Sequence, residues 1–498
     1  MSGNVKGCGG YSGGDGEQSA QHINKTVNIV VFGGSGDLAQ KKIFPALFSL
    51  FCRNYLPQNI NFFAFARTSL SQEAFRKKIS SSLTCRYSPE QSHCKILVHE
   101  FLERCHYVSG QYDSGKSYDE IYAAIKAVSG GMPSENIFYF AVPSNVYMEI
   151  ASGLICAENI CEKELANSKL VLEKPFGRDR HSSDLLTEAL TGVFDEKQIY
   201  RIDHYLGKEM VQNLLVLRFA NLFLEPLWSK QYIEKVEIVW EENAGVFGRS
   251  KYFDDYGIIR DVIQNHLLQI LALTAMEEPA SLSAEDIRCR KVELLNSVKA
   301  TLLDKTLTGQ YGNAVYKGVM VSGYTDEQAI PDDSQTPTFA RINFEIDNDR
   351  WHGVPFVISA GKGMNKSVTE VRVKLKAKGN SMFCSIGKCP EPNELVIRIQ
   401  PNEGFHFKIT TKSPGDKLNF AIKDLDLSYI RAFNNSVLPE AYETLLLDVI
   451  CGNKELFISS DELQVSWDIL MPVLRYLEEH KVKPETYPFG TVFPDSSK

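Results

Sequence analysis

The sequence has 498 residues, 43% of them apolar, and a formal charge of -8. This length is enough for two large domains, the apolar share is typical of a soluble globular protein, and the negative charge argues against general nucleic-acid binding. No apolar run is long enough to span a membrane, and the N-terminus lacks the apolar segment of a signal peptide. We therefore expect neither a nucleic-acid nor a membrane partner.

The cysteines and the N-terminal residues predict a cytoplasmic protein with a disordered tail. The 11 cysteines are odd in number and form no C-x-x-C pair. This pattern favours reduced thiols over a disulfide framework. Residues 1–20 are rich in glycine and serine and hold few apolar side chains. We therefore predict disorder over residues 1–24.

The first ordered stretch predicts a strand, a glycine turn and a helix in succession. An apolar run over 27–32 is typical of a buried strand, and helical periodicity follows up to Phe51. This order is typical of a dinucleotide site, where small residues let the backbone approach a pyrophosphate and the helix N-terminus supplies N–H groups. The spacing is G-x-x-G-x-x-A rather than G-x-G-x-x-G. A plain tight turn therefore stays an alternative.

The next strand, over 61–66, ends at Arg67 and Thr68. An NAD enzyme usually carries Asp or Glu near this position, whereas a guanidinium and a hydroxyl suit the 2′-phosphate of NADP. The alternative is a solvated arginine at the start of a loop. Strands over 136–142 and 169–172 then alternate with helices near 117–129 and 144–158. This alternation predicts a mostly parallel, doubly wound sheet.

Two further strand ends carry polar groups. Lys174 stands between the strand over 169–172 and Pro175. This position suits a fixed lysine that bridges coenzyme and substrate, and an ordinary surface residue at a strand end is an equally good alternative. The apolar run over 199–202 is followed by Asp203, His204, Tyr205 and Lys208. Such strand ends form sites in open α/β sheets, although a charged junction in which Asp203 caps the following helix is the alternative.

Beyond residue 209 the pattern changes to an α+β type. Helices are predicted near 210–228, with Leu222 in the core, and near 253–275 and 284–299. Apolar and polar residues alternate near 236–240, 341–346, 371–376, 395–400 and 405–409, as in an antiparallel sheet with one polar face. We predict a Rossmann-type α/β coenzyme domain over 25–202 and a larger α+β domain over 203–498. The free face of its mainly antiparallel sheet would suit a dimer interface.

One predicted helix holds polar residues among apolar ones. Asp261, Asn265 and His266 are flanked by isoleucines and leucines, so they are expected to be partly buried and in need of partners. A lone helix histidine is more often a satisfied core residue than a catalyst. Asp203 is a candidate partner for His266, although the sequence does not place the two together.

From about residue 27 to 480 the chain resembles the glucose-6-phosphate dehydrogenase family. The motifs are Gly33 to Ala39, Glu173 to Gly177, Arg201 to Glu209 and Ile258 to Leu268. The resemblance implies oxidation of D-glucose 6-phosphate at C1 to 6-phospho-D-glucono-1,5-lactone, with hydride transfer to NADP, as the first step of the oxidative pentose phosphate pathway. It also implies a homodimer or homotetramer and no metal.

The resemblance implies a role for each matching residue. His266 matches the general base, and Asp203 matches the carboxylate that orients it. The groups that grip the sugar phosphate are matched by His204, Tyr205 and Lys208. Other substrate contacts are matched by Lys174, Glu242, Asp261, Lys362 and Gln400. Coenzyme contacts are matched by Gly33, Gly34, Ser35, Gly36, Asp37, Leu38, Arg67, Tyr147 and Lys174.

The chain departs from the family pattern in places. Ser367 stands where many members carry a second basic residue after Lys362. Part of a second, structural NADP site is matched by Arg372, Arg398 and Lys408, but Ser359 and Val368 replace basic residues there. These changes argue against a second bound NADP. A non-catalytic sensor of NADP or sugar phosphate, and a dehydrogenase for another sugar, are the competing functions.

Overall fold

The computed structural model describes residues 26–87, 91–130, 134–156, 165–301, 303–379, 381–387, 389–415, 419–433 and 437–492. The predicted tail over 1–24 lies outside these residues. The chain forms two compact units, and each is assembled from three segments. The first comprises Met1–Gly207, Pro279–Cys289 and Val437–Gln464, and the second comprises Lys208–Glu278, Arg290–Ser436 and Val465–Lys498. The domain limits predicted at 25–202 and 203–498 stay a prediction.

The first unit contains a six-stranded parallel sheet in the order β3-β2-β1-β4-β5-β6. Its strands are β1 (Thr26–Phe32), β2 (Ile60–Ala66), β3 (Cys105–Ser109), β4 (Ser134–Phe140), β5 (Lys169–Glu173) and β6 (Ile199–Ile202). The central strands are buried on both faces, which explains why they are continuous apolar runs rather than alternating ones. The predicted doubly wound, Rossmann-type sheet is confirmed.

The second unit contains a larger sheet in the order β17-β16-β15-β14-β7-β13-β12-β9-β18, with β8 paired to β12. Its strands, with the separate hairpin β10–β11, are β7 (Ile233–Glu241), β8 (Val298–Thr301), β9 (Leu307–Gly312), β10 (Ala314–Tyr316), β11 (Val319–Val321), β12 (Phe339–Ile346), β13 (Phe356–Gly361), β14 (Val368–Leu375), β15 (Glu394–Gln400), β16 (Gly404–Lys412), β17 (Phe420–Ser428) and β18 (Glu485–Pro488). The pairs β7–β13 and β9–β18 are parallel and the others antiparallel. The predicted α+β class with a mainly antiparallel sheet is confirmed.

The helices of the described residues connect these strands. Their bounds are Ala39–Ile43 and Ile259–Leu267 (both π-helical), Phe44–Cys52, Gln72–Ser80, Gln91–Glu103, Gly115–Ser129, Tyr147–Cys156, Arg180–Thr191, Glu209–Phe219, Ser250–Ile258, Leu268–Ala275, Ala284–Asn296, Tyr429–Ala432, Ala441–Cys451 and Ser460–Glu479, with short 3₁₀ turns at Ser144–Val146, Glu196–Gln198, Leu303–Lys305, Tyr324–Asp326 and Cys384–Ile386.

Two helix predictions are corrected by the structure. The helix predicted over 210–228 ends at Phe219, and Leu222, predicted to be in the core, is 90% exposed. The amide of Asn221 donates to Leu217 O at 3.1 Å, and Pro226 disfavours a helical residue before it. The helix predicted over 253–275 is broken at Gly257, whose φ of +68° is a conformation that favours glycine.

A late segment of the chain completes the first core. Leu445, Leu446 and Val449 of helix Ala441–Cys451 pack in the same apolar cluster as Ile29 and Phe48. The segment also reaches β6, because Ile458 N donates to Arg201 O at 3.2 Å. The C-terminal part of the chain therefore supports the strand that carries Asp203 at its end.

The prediction that the thiols are reduced is wrong for four cysteines. Cys85 is bonded to Cys94, and Cys384 to Cys389, over separations of 9 and 5 residues. Cys94 lies in helix Gln91–Glu103, and its Cα atom is 5.9 Å from that of Cys85. Neither spacing is a recognised sequence pattern. Four described cysteines are free thiols, at positions Cys52, Cys105, Cys289 and Cys451.

None of the helices in the described part of the chain is both long enough and apolar enough to cross a bilayer.

Candidate active site

The glycine turn after β1 is shaped first by protein packing. Gly33 has a φ of +80°, and a Cβ there would lie 2.3 Å from Ala141 O. A Cβ on Gly34 would lie 2.5 Å from the Cβ of Ala64 in β2. The packing of neighbouring strands therefore requires the first two glycines whether or not a nucleotide binds, and their predicted contact with the coenzyme stays a prediction.

The outer part of the same turn fits a pyrophosphate. Gly36 and Asp37 are exposed, and Ser35 and Leu38 are half-buried. A Cβ on Gly36 would approach Gly33 O to 3.1 Å, and the N–H of Gly36 itself donates to Gly33 O at 2.8 Å, which closes the turn. N–H groups at the start of the helix that follows are suitable donors to phosphate oxygens.

Arg67 follows β2 with its guanidinium exposed, and its Cζ lies 5.5 Å from the ring centre of Tyr112. An exposed guanidinium beside the second strand is available to a 2′-phosphate. Tyr147 is placed differently, because its ring is buried and its hydroxyl donates to Glu173 O at 2.7 Å. Its predicted contact with the coenzyme stays a prediction, and Lys174 is half-buried at the same strand end.

Asp203 does not cap the following helix, whose N-cap is Lys208, and its predicted role in the site stays a prediction. It is 1% exposed directly after β6, and its Oδ1 accepts a hydrogen bond from Tyr205 N at 2.9 Å. The carboxylate therefore stabilises the local turn, as a capping residue does. The turn presents the half-buried ring of His204, whose centre lies 5.0 Å from that of Tyr205. These three residues belong to the first unit.

Several residues that were predicted to bind the substrate lie at one edge of the sheet in the second unit. β7 and β13 are parallel neighbours, with Glu241 opposite Gly361, so Glu242 and Lys362 directly follow paired strand ends. They form an ion pair. β15 runs in the same direction, because it is antiparallel to β14, which is antiparallel to β7. Its last residue, Gln400, therefore lies at the same edge of the sheet.

Lys208 is also brought to this edge. Its Nζ donates to Gln400 Oε1 at 2.6 Å. The contact arises because helix Glu209–Phe219, which begins after Lys208, packs against β15. The structure therefore pairs Lys208 with Gln400 and Glu242 with Lys362, which the sequence did not predict.

Asp261 and His266 lie on the π-helix Ile259–Leu267, which packs against β13. An α-helix would turn five positions by about 500°, leaving the two side chains roughly 140° apart around the axis. In a π-helix, whose hydrogen bonds join residues i and i+5, five positions correspond to little more than one turn. The two side chains therefore lie near the same face, with His266 buried at 3% exposure.

Aromatic residues that we did not predict surround these polar groups. Burial, and then the nearby carboxylate of Asp261, raise the pKa of the Tyr252 phenol. The Nζ of Lys362 lies 5.2 Å from the ring centre of Trp240 and 5.7 Å from that of Phe253. In the sequence these aromatic residues have the spacing of core positions, and no local signal distinguishes them from ordinary residues of the hydrophobic core.

The basic residues matched to a second coenzyme site have acidic partners. Arg372 and Arg398 both pair with the buried carboxylate of Glu370, at 2.6 and 3.0 Å, and these guanidinium groups lower the pKa of Glu370 against the effect of burial. Lys408 pairs with Glu394.

Comparisons with known proteins agree over nearly the whole chain. The family model for the NAD-binding domain of glucose-6-phosphate dehydrogenase matches residues 30–213, and the model for its C-terminal domain matches 215–498. The chain is 46% identical to the chloroplastic glucose-6-phosphate 1-dehydrogenase 1 of Arabidopsis thaliana, over 95% of this chain and 82% of that protein. It is 43% identical to the cytoplasmic form 6 of the same plant, over 94% and 89%.

Solved structures give the same result. A glucose-6-phosphate dehydrogenase in complex with its substrate glucose-6-phosphate aligns with a TM-score of 0.88 and 40% identity, covering 95% of this chain and 96% of that one. Glucose-6-phosphate 1-dehydrogenase from Mycobacterium avium aligns with a TM-score of 0.80 and 31% identity, covering 94% of each chain. The chain therefore belongs to the glucose-6-phosphate dehydrogenase family.

Proposed function

We propose that this member of the family oxidises D-glucose 6-phosphate at C1 to 6-phospho-D-glucono-1,5-lactone with NADP, the first step of the oxidative pentose phosphate pathway. The observation that carries the proposal is the sheet edge of the second unit. There Glu242 and Lys362 directly follow β7 and β13, and Gln400 is the last residue of β15. These three strands run in one direction, and the helix of His266 packs on β13. Carboxylate, ammonium and amide groups at one edge suit the hydroxyl groups of a sugar.

His266 is proposed as the general base that takes the proton from the C1 hydroxyl. Imidazole has an unperturbed pKa of about 6.5, which suits proton transfer near neutral pH. Asp203 is proposed to orient this imidazole and to stabilise its protonated form. The rigid placement of both groups supports these roles, since each is buried next to a defined backbone element.

The substrate groups divide according to chemistry. His204, Tyr205 and Lys208 are proposed to donate to the phosphate, since imidazole, phenol and ammonium groups are all possible donors. The sugar hydroxyl groups are proposed to contact Lys174, Glu242, Asp261, Lys362 and Gln400. The hydrogen bond from Lys208 to Gln400 at 2.6 Å supports the proximity of phosphate and sugar contacts.

The coenzyme is proposed to lie on the turn from Gly33 to Leu38, with Arg67, Tyr147 and Lys174 as further contacts. NADP, when bound, supplies the acceptor of the hydride. The exposed backbone at Gly36 and the exposed guanidinium of Arg67 fit its pyrophosphate and 2′-phosphate. Lys174 and Pro175 follow β5 at the edge of the sheet where α/β folds bind such ligands.

The activity is tested by following the absorbance of the reduced nicotinamide after glucose 6-phosphate and NADP are added to the purified chain. Production of reduced coenzyme that depends on both compounds is expected. A protein that binds both compounds without turnover would be a sensor and would contradict the proposal. Comparing glucose with glucose 6-phosphate tests the requirement for an anionic substrate.

Arg67→Ala should raise the KM for NADP by about 10- to 30-fold, because an exposed charge-assisted contact contributes about 1.5–2 kcal/mol. The KM for NAD, which has no 2′-phosphate, should change less than about twofold. Steady-state kinetics with each coenzyme measures both values. Arg104→Ala is a suitable control, because its guanidinium lies over the ring of Phe51 in a similar way but away from the turn. Equal effects on the two coenzymes would rule out a 2′-phosphate contact.

The exposed edge of the larger sheet is a candidate surface for assembly. We propose a homodimer or homotetramer formed through β17, an edge strand whose Leu425 and Leu427 are 57% and 41% exposed. Light scattering of the purified protein tests this, and a monomer at micromolar concentration would contradict it.

We also propose a cytoplasmic location, for which cell fractionation is the test. The relatives include both cytoplasmic and chloroplastic forms.

A further inference from the structure

A buried carboxylate lies directly before Lys174. Glu173, the last residue of β5, is 8% exposed, and burial raises the pKa of its carboxyl group. Its Oε1 accepts hydrogen bonds from two phenols, Tyr139 OH at 2.5 Å and Tyr442 OH at 3.1 Å. The sequence places Tyr442 269 residues after Glu173, so no sequence motif relates them.

The hydroxyl of Tyr442 contacts Glu173, whereas its ring stacks on His204. It lies parallel to the imidazole of His204, with an interplanar angle of 8° and ring centres 6.3 Å apart. This is the geometry of offset stacking. Tyr205 contacts the same imidazole at a steeper angle of 60°. The plane of the His204 ring is therefore set by two aromatic neighbours, and the N–H groups of an imidazole point within that plane.

Tyr442 is itself held in place from several directions. It is the second residue of helix Ala441–Cys451, and the next residue, Glu443, pairs with Arg86 at 3.0 Å and accepts from Tyr87 OH at 2.9 Å. A Cβ on Gly207 would lie 2.5 Å from Ala441 O, so the backbone that follows His204 packs on the start of this helix. The helix start and the residues 203–207 therefore form one rigid arrangement.

We propose that Tyr442 is a positioning residue for the sugar-phosphate site. Its hydroxyl, anchored on Glu173, fixes the ring, and the ring fixes the plane in which His204 donates to the phosphate. The inference rests on the proposed role of His204. An aromatic pair of this kind contributes only modestly, so loss of the ring's fixed position is expected to weaken binding without abolishing it.

The test uses Tyr442→Phe in the full-length enzyme, which keeps the ring and removes its anchor. We expect the KM for glucose 6-phosphate to rise about 3- to 10-fold, equivalent to about 0.7–1.4 kcal/mol, while kcat and the KM for NADP change less than about twofold. The kcat/KM for glucose, which has no phosphate, should be unchanged. The inhibition constant of inorganic phosphate against glucose 6-phosphate should rise by the same factor as the KM.

Tyr87→Phe is the matched control. It also removes one phenol-to-carboxylate hydrogen bond, to Glu443, next to Tyr442 in the chain, but Tyr87 is not stacked on His204. Its KM for glucose 6-phosphate should change much less than that of Tyr442→Phe, because Glu443 keeps its ion pair with Arg86. If Tyr442 has only a structural role, Tyr442→Phe should lower the melting temperature and alter the kinetics with glucose as much as with glucose 6-phosphate. That result, or an unchanged KM in Tyr442→Phe, would overturn the inference.

A double-variant cycle separates the inference from the proposed function. If His204→Ala raises the KM and Tyr442→Phe adds nothing in that background, both are supported. If His204→Ala leaves the KM unchanged, the proposed phosphate contact fails. If His204→Ala acts and Tyr442→Phe does not, the inference alone fails. Should Tyr442→Phe be insoluble, Glu173→Gln weakens the same anchor, and we expect a smaller rise in the KM that is again selective for the phosphate-bearing substrate.

Discussion

Replacing His266 with asparagine should lower kcat for glucose 6-phosphate oxidation by about 10²- to 10⁴-fold, the usual contribution of a general base. Asparagine is close in size and keeps polar atoms at a position that is only 3% exposed, so the fold should persist. The KM for glucose 6-phosphate should change by less than about threefold, since the base acts mainly in the transition state. Steady-state kinetics measures both values, and retention of more than about a tenth of kcat would remove His266 from the mechanism.

His352→Asn is the control for this substitution, because His352 is an exposed histidine of the same unit whose ring nitrogen lies 3.5 Å from the exposed carboxylate of Asp347. It should leave kcat unchanged. The proposed partner is tested by Asp203→Asn, which keeps the acceptor oxygen for Tyr205 N. If Asp203 acts through His266, the double variant should be no slower than His266→Asn alone. Losses that multiply would show that the two residues act independently.

The local part of the fold was predictable from the sequence. β6 was predicted at its observed bounds, Ile199–Ile202, because a short apolar run ends abruptly at polar residues. The parallel sheet followed from alternating strand and helix signals, and the larger sheet from the period of two. These signals depend only on neighbouring residues, which is why they were sufficient.

Features that depend on distant residues were not predictable. Helix Ala441–Cys451 contributes to the core of the first unit, although it lies more than two hundred positions after β6 in the chain. The glycine turn was interpreted through its ligand, whereas Gly33 is required by Ala141 O, an atom of another strand end. Likewise, the π-helical geometry that places Asp261 and His266 near one face has no sequence signature, and an α-helical interpretation separates them.

The site was predictable only as a set of residues. The resemblance supplied Glu242, Lys362, Lys208 and Gln400 individually, and the pairing of β7 with β13 and of helix Glu209–Phe219 with β15 explains how they come together. The aromatic residues near the site, such as Tyr252 beside Asp261, could not be distinguished from core positions. Their function depends on which polar group the fold places beside them.

Lys208→Met should reduce kcat/KM for glucose 6-phosphate by about 100-fold, mostly through KM, because a charge-assisted contact to phosphate contributes up to about 3 kcal/mol. Methionine keeps much of the apolar stem, so packing at this half-buried position is retained. The kcat/KM for glucose should be nearly unchanged, and so should the KM for NADP. These values separate loss of a phosphate contact from a general loss of structure.

Lys376→Met is the matched control, since the Nζ of Lys376 donates to a carbonyl oxygen, Lys230 O, at 2.6 Å, the same length as the bond from Lys208 to Gln400. It removes an equivalent hydrogen bond in the same unit and should leave kinetics unchanged. Salt provides a second criterion, because screening weakens attraction between charges. The KM of the unmodified enzyme for glucose 6-phosphate should therefore rise more steeply with ionic strength than that of Lys208→Met. If the two slopes are equal, Lys208 does not contact the phosphate, and its bond to Gln400 serves only to join helix Glu209–Phe219 to β15.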